Sequence, residues 1–239
     1  IDKKNYILKN IKLIIILGIT SITIFNSIVY YSLNFTQVIS GVLMISTIPV
    51  MIIIFCWLFR IEKTNIYQIF GVIFSLSGVV VIITRADLNI LLNLNFNKGD
   101  IWMVVAMFSW AMYSALLRKK KFELSQLSLL QIIITAGLIF LLPAYLVELS
   151  LGYKTSINLP FILTLTYVVL FPGLASFIFW IKGISIIGSN RSGIFLHLMP
   201  IFSTIMAILI FGEKFMFFHS IGAVLIIAGI ILSSRGQHI

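Results

Sequence analysis

The fold of this chain is decided by the stretch LHLMPIFSTIMAILIFGEK, residues 196–214, which places a His and a Pro inside an apolar run. Such a run is about 20 residues long, which is enough for a helix to cross a bilayer. A close copy occurs earlier in the chain as MISTIPVMIIIFCWLFRIEK, residues 44–63. A membrane helix that recurs together with its proline predicts a protein built from two related halves.

The composition extends this interpretation to the whole chain. Of the 239 residues, 60% are hydrophobic and 10% are charged, and the mean hydropathy is +1.13. Soluble domains carry about a quarter charged residues, so the apolar side chains here need lipid as their solvent. The apolar runs lack the polar–apolar alternation of barrel strands, which leaves helices as the spanning structure. We predict an all-α polytopic membrane protein with helices at 11–33, 38–59, 66–84, 101–118, 126–149, 160–187, 192–211 and 216–234.

The basic residues predict how these helices are oriented. Thirteen of the seventeen Lys and Arg residues fall in one set of alternate loops and four fall in the other set. Cytoplasmic loops collect basic residues, so both ends of the chain are predicted to be cytoplasmic in a multi-pass protein of the inner cell membrane. Because the net charge of +10 is explained by topology, no nucleic-acid partner is expected.

A shift of 151 residues aligns the two copies without a gap. The matched pairs are Pro49 and Pro200, Glu62 and Glu213, Gly71 and Gly222, and Gly78 and Gly229. The two prolines predict kinks in matched membrane helices, and Pro172 predicts a bend in helix 160–187. Gly71 and Gly78 are two turns apart on one helix face, as are Gly222 and Gly229, and a neighbouring helix could approach each face closely. Each glutamate is expected to cap the helix that follows it.

The repeat also predicts the domain organisation. A first unit of three helices covers 1–84, a linker covers 85–100, a second unit of five helices covers 101–235, and a cytoplasmic tail covers 236–239. Helices 101–118 and 126–149 have no counterpart in the first unit, so we expect the chain to lack two N-terminal helices of a ten-helix protein. Units with an odd number of helices must lie in opposite orientations, which is the inverted repeat of many transporters.

Three segments resemble a known family. GIFLHLMPIFSTIMAILIFGEKFMFFHSIGAVLIIAGIIL, residues 193–232, and its weaker copy GVLMISTIPVMIIIFCWLFRIEKTNIYQIFGVIFSLSGVVVIIT, residues 41–84, resemble the closing helix pair of an EamA domain. GDIWMVVAMFSWAMYSALLRKK, residues 99–120, is similar to the opening helix of a second EamA unit. The resemblance implies a drug/metabolite transporter with two inverted five-helix units and a central cavity. Members of that superfamily export amino acids, metabolites or drugs.

Candidate residues for a substrate cavity are polar or aromatic side chains inside the predicted helices. Asn26 and Tyr30 lie on or beside a polar stripe whose alternative role is hydrogen bonding between helices. Trp110 and Tyr113 offer aromatic faces suited to organic cations or amino acids. His197 and Thr204 flank Pro200. His197 is predicted either to carry protons or to be a neutral ring bonded to a carbonyl released by Pro200.

The function predicted from these features is secondary transport, without ATP, by alternating access about a central cavity. The partners would be the lipid bilayer, a small-molecule substrate and protons. We expect no enzyme: no catalytic, metal or cofactor-binding motif is present in the sequence. Two alternatives stay open at this point, an inactive truncated remnant of a transporter and an integral-membrane enzyme acting on a lipid or prenyl substrate. The oligomeric state is not predicted.

Overall fold

The computed structural model describes residues 3–95, 97–153 and 155–235. Within them, eight helices are long and apolar enough to span a membrane, as the sequence predicts. They are α1 (Ile11–Ser32), α2 (Ile39–Leu58), α3 (Ile66–Ile83), α4 (Lys98–Arg118), α5 (Gln126–Ser150), α6 (Leu159–Ile187), α7 (Ser189–Phe211) and α8 (Phe217–Ser234). The predicted tail, 236–239, lies outside the described residues.

Several helix starts are fixed by short polar side chains. Asn65 caps α3 in a capping box with Gln68, and Asn97 caps α4 in a box with Asp100. These caps satisfy amides at the first turn that have no partner within the helix. The box at Asn97 is the reason that α4 begins at Lys98 rather than at 101. The predicted linker is therefore shorter than expected, and it contains the short helix Leu88–Leu92.

Both repeated proline helices are interrupted just before the proline. In α2 the helix stops at Ile45 and restarts at Ile48, so that Pro49 lies in the first turn of the second segment. In α7 a 3-10 turn covers Phe195–Leu198, and the segment Met199–Phe211 restarts with Pro200 in its first turn. Proline is tolerated in a first turn because the missing N–H has no helical partner there.

The core of the bundle is built around α4, which contacts α1, α2, α6 and α7. Its small and apolar side chains, including Met103, Ala106 and Ala111, are almost completely buried. On the far side of α1, Gly18 and Gly137 let α1 and α5 meet backbone to backbone, since a Cβ on Gly18 would lie 2.7 Å from the nitrogen of Gly137. Helix α4 is therefore the element that holds both repeat units in register.

The predicted glycine faces meet at the contact between α3 and α8. A Cβ on Gly71 would lie 2.6 Å from the carbonyl oxygen of Gly229, and a Cβ on Gly78 would lie 2.5 Å from that of Gly222. The higher-numbered glycine of α3 contacts the lower-numbered glycine of α8, so the helices run antiparallel. Gly71 thus contacts the repeat equivalent of Gly78, and Gly78 contacts the repeat equivalent of Gly71, as a two-fold axis between the helices requires. This is the geometry of an inverted repeat.

The helix bounds follow the same repeat. Adding 151 to the bounds of Ile66–Ile83 gives 217 and 234, which are the bounds of Phe217–Ser234. A second correspondence was not predicted from the sequence. Helix α1 contains a π-helical segment at Ile19–Asn26, and α6 contains one at Val169–Ala175, within two residues of the equivalent position. Pro172 lies inside the π segment of α6.

Candidate substrate site

A cluster of five aromatic side chains lies where α4 meets the middle of α1 and α6. Trp110 of α4 is its centre, with ring centroids 4.5 Å from Phe25, 5.2 Å from Tyr113, 5.2 Å from Phe177 and 5.6 Å from Trp180. Phe25 belongs to the π segment of α1, and Phe177 follows the π segment of α6. The cluster therefore joins the repeat-equivalent helices through one tryptophan.

Tyr113 brings a polar group into this cluster without a partner. Its side chain is fully buried, and its hydroxyl has no hydrogen-bond partner among the residues that the structure describes. A buried hydroxyl left unpaired costs about 1–3 kcal/mol. A buried, unpaired hydroxyl of this kind is a candidate to form a hydrogen bond with a ligand.

The indole nitrogen of Trp180 and the neighbouring hydroxyl of Ser114 are already paired. The indole nitrogen of Trp180 donates to Ser114 Oγ at 3.1 Å, and Ser114 Oγ donates to the carbonyl of Trp110 at 2.8 Å. These two consecutive hydrogen bonds fix the ring of Trp180 against α4. The sequence singles out Trp110 and Tyr113, but it does not reveal Phe25, Phe177 or Trp180, because those residues reach the cluster only through the packing of three helices.

The polar stripe of α1 is used mainly for contacts between and within helices. Thr23 donates to the carbonyl of Gly137 at 2.7 Å, and Ser109 of α4 donates to the carbonyl of Thr20 at 2.7 Å. Asn26 donates to the carbonyls of Ser21 and Ile22 inside the π segment. These contacts match the interhelical alternative.

Tyr30 lies apart from the aromatic cluster, with 56% of its surface exposed on the bundle exterior. Its role as a cavity residue stays a prediction that this structure does not support by contact.

His197 lies on the axis between the repeat units rather than in the aromatic cluster. The ring is fully buried; its Nε2 is 2.8 Å from the carbonyl oxygen of Ser46, and its Nδ1 contacts the hydroxyl of Ser75. Ser46 is the repeat equivalent of His197, 151 residues away. The neutral-ring alternative expected His197 to bond to a carbonyl released by Pro200. The carbonyl that it contacts is instead that of Ser46, at the helix break that precedes Pro49 in the other unit.

Thr204 lines a separate cavity of about 280 Å³ between α3, α7 and α8. Apart from His219, the residues that share this cavity are apolar. The hydroxyl of Thr204 donates to the carbonyl of Pro200 at 2.8 Å, within its own helix. The six predicted cavity residues therefore occupy different parts of the bundle, and only Trp110 and Tyr113 are brought together.

Glu62 caps a helix, although not the one predicted. Its two carboxylate oxygens accept from the amides of Ser189 and Asn190 at 3.0 Å each, and Oε1 is 2.9 Å from Nε of Arg118. The capped helix is α7 of the second unit, because Asn65 already caps the following helix, α3. For Glu213, the carboxylate is exposed, and α8 is instead capped by a box that uses His219.

Within the part of the chain that the structure describes, no group of three His, Cys, Asp or Glu side chains is close enough to hold a metal ion. The aromatic cluster combines ring faces with the hydroxyls of Tyr113 and Ser114. Such a lining suits ligands that present aromatic rings or diffuse positive charge.

Comparisons with known proteins agree with this architecture. The model of the EamA-like transporter family matches residues 1–84 and 97–235. "Uncharacterized transporter YyaM" of Bacillus subtilis is 26% identical over 235 residues, which are 97% of this chain and 76% of the relative. An "Uncharacterized transporter" of Archaeoglobus fulgidus is 25% identical over 223 residues, 93% of this chain and 76% of the relative.

One solved crystal structure is also similar in fold. It superposes with a TM-score of 0.67 at 15% sequence identity and covers 92% of this chain and 75% of that chain. At this identity the likeness concerns the fold alone.

Proposed function

Because the chain belongs to the EamA-like transporter family, we propose that it is a secondary transporter that exports small metabolites, amino acids or drug-like compounds. The two repeat units, 1–84 and 101–235, would alternate about a central site and expose it to one side of the membrane at a time. Pro49, Pro200 and Pro172, at breaks or π segments within the helices, would let the matched helices bend. In this proposal both ends of the chain face the cytoplasm of the inner membrane.

The observation that carries the proposal is the unpaired hydroxyl of Tyr113 within the aromatic cluster around Trp110. A substrate with an aromatic ring could stack on Trp110 and accept the hydrogen bond that Tyr113 lacks. Amphipathic organic amines and aromatic amino acids have this combination of a ring and polar atoms. The cluster thereby suggests a substrate class that the family name alone does not give.

The energy source in this proposal is a gradient rather than ATP, since the sequence contains no phosphate-binding Gly loop. His197 is the candidate for proton coupling because it is the buried titratable ring on the axis between the units. Under this hypothesis, His197→Gln removes the pH dependence of transport in vesicles. Unchanged rates and an unchanged pH profile would exclude His197 as the coupling group.

Tyr113→Phe tests the substrate site directly. The ring stays in the cluster while the unpaired hydroxyl is removed, so the free energy of unfolding should be unchanged or higher, by up to about 1–3 kcal/mol. Transport should become weaker through a raised KM, because the substrate loses its hydrogen-bond donor. The measurement is uptake of a panel of labelled aromatic amines and amino acids into proteoliposomes, together with thermal unfolding in detergent.

The matched control is Tyr145→Phe, since Tyr145 lies on the exposed face of α5 with 57% of its surface accessible. This variant should leave both transport and stability as they are. A loss of stability in Tyr113→Phe with unchanged KM would assign Tyr113 to structure alone. If no compound of the panel is transported by the wild-type protein, the proposed substrate class is wrong.

A further inference from the structure

The ends of the bundle differ in how the two repeat units are joined. The end that carries Arg60, Lys63 and Arg118, here called the basic end, is closed by the carboxylate of Glu62. That carboxylate belongs to the first unit, and its three partners, Ser189, Asn190 and Arg118, belong to the second. With only 15% of the Glu62 side chain accessible, this is a largely desolvated contact between units.

The repeat defines an equivalent contact at the opposite end. A shift of 151 residues turns Glu62 into Glu213, and it places Val38 and Ile39 at the positions of Ser189 and Asn190. Those residues form the first turn of the segment Val38–Ile45, whose N-terminus has no side-chain cap in the structure. Glu213 itself is exposed. One of two equivalent carboxylate–helix contacts is therefore made, and the other is open.

Two glycines of the second unit show how differently the two ends are packed. Gly188, immediately before the amides that Glu62 binds, has a φ of 87°, and a Cβ there would lie 2.5 Å from Oε1 of Glu62. Gly212, immediately before Glu213, is also in the left-handed region, and a Cβ there would meet open space. The closed end is filled to contact distance, whereas the end at Gly212 has room for another element.

We propose that Glu62 and Glu213 are a reciprocal pair of positioning residues for alternating access. Glu62 holds α7 and α4 against the first unit in the state seen here, and Glu213 binds the amides of Val38 and Ile39 in the opposite state. The inference rests on the proposed transport function, because it identifies the contacts that exchange when the two units move. Two purely structural caps would both be formed in one state, and here only one is formed.

The two contacts exclude one another for a geometric reason. Inverted repeats reach their second state when each unit adopts the arrangement that the other has in the first. Closing α2 onto Glu213 at one end therefore separates α7 from Glu62 at the basic end. A carboxylate that accepts two backbone amides at a helix start is a strong contact, so each glutamate can bias the equilibrium by its own contact alone.

The chain contains its own reporter of the basic end. Its single cysteine, Cys56, lies near the end of α2 with none of its surface exposed, and its thiol faces the side chain of Ser189. Alkylation of Cys56 therefore requires the helices that Glu62 joins to separate. The rate of reaction with N-ethylmaleimide in membranes measures how often the basic end opens, and it does not depend on any transported substrate.

The experiment compares Glu62→Gln, Glu213→Gln and the double variant. We expect Glu62→Gln to raise the alkylation rate of Cys56 by about tenfold, since an amide replaces an ionised acceptor. Glu213→Gln should lower the rate several-fold below that of the wild type, because it weakens the state in which the basic end is open. In the double variant the two effects should offset, with a rate close to that of the wild type.

Glu123→Gln is the matched control, because Glu123 is an exposed carboxylate at the same end; its rate should equal that of the wild type. A double variant that reacts faster than Glu62→Gln would show mere destabilisation and overturn the proposal. An unchanged alkylation rate of Cys56 in Glu213→Gln would also overturn the proposal. This second test remains valid even if Glu62→Gln does not fold. If the rates offset but no compound is transported, the exchange of glutamate contacts is supported and the transport proposal is refuted. If a compound is transported but the rates do not offset, the transport proposal is supported and the exchange of contacts is refuted.

Discussion

Both protonation forms of the His197 ring have hydrogen-bond partners in the structure. The carbonyl of Ser46 can only accept, so Nε2 donates to it and carries a proton in either form of the ring. In the neutral form Nδ1 accepts from the hydroxyl of Ser75. In the charged form Nδ1 donates to that oxygen, and Ser75 can turn its proton to the carbonyl of Val72, 3.3 Å away. The site can satisfy both forms without moving a helix.

Ser75→Ala should therefore destabilise the protein. It leaves Nδ1 of His197 buried without a partner, which costs about 1–3 kcal/mol of unfolding free energy. Thermal unfolding in detergent is the measurement. Ser77→Ala is the control from the same helix, since Ser77 is exposed and its hydroxyl donates to the carbonyl of Phe74 within that helix; its effect should stay within about 0.5 kcal/mol. Equal melting temperatures for the two variants would show that the Ser75 contact contributes nothing.

Residue roles could be predicted only where the role is local. Pro49 lies at a helix break, as expected, because the missing amide acts on its own helix. The partners of Glu62 and His197 could not be predicted, because both are on the other repeat unit and depend on how the units pack. The sequence held one clue to His197: its repeat equivalent is Ser46, and residues on a two-fold axis meet their own equivalents.

At the scale of elements, the apolar runs located all eight spans to within a few residues. Helix starts differed where polar caps extend a helix beyond its apolar run, as Asn97 does for α4 and Glu62 does for α7. The π segments of α1 and α6 carry no local signal apart from Pro172. Their backbone adjustment is stabilised by packing, so that only the structure reveals that both units share it.

The contact between α3 and α8 should be intolerant of any side chain. Gly78→Ala places a methyl group 2.5 Å from the carbonyl oxygen of Gly222, which is backbone and cannot move aside. Forcing the helices apart should cost about 1–3 kcal/mol, read as a lower melting temperature in detergent.

Gly183→Ala is the matched control for that substitution, because its methyl group would meet only Ser192 Oγ at 3.5 Å. In the middle of a helix, that change should be neutral or stabilising by up to about 1 kcal/mol. Equal effects of the two substitutions would contradict close glycine packing.

At the scale of the whole molecule, the two units form one bundle through three features: the contacts of helix α4 with the first unit, the glycine contact and the cap by Glu62. Charge distinguishes the two ends of this bundle, because the basic residues concentrate at one of them. The inverted repeat places the matched helices in opposite orientations, so the direction of the bundle in the membrane rests on these side chains.

We expect the basic end to face the cytoplasm. A phosphatase reporter, active only outside the cytoplasm, should be inactive when fused after Ser234 and active when fused within the loop that follows Ser150. Swapping the charges by adding four lysines to that loop should reduce the activity of the loop fusion. Activity at Ser234 in the unaltered chain would reverse the predicted topology.

The glycine contact of α3 and α8 has a consequence for ancestry. Gly71 and Gly78 present one surface, Gly222 and Gly229 present its copy, and each surface fits the other around a two-fold axis. A surface with that property also fits itself, whether or not a peptide joins the two copies. The contact between α3 and α8 therefore has the form of a homodimer interface. Such an interface would remain if two copies of a self-pairing protein, inserted into the membrane in opposite orientations, had become joined by fusion of their genes.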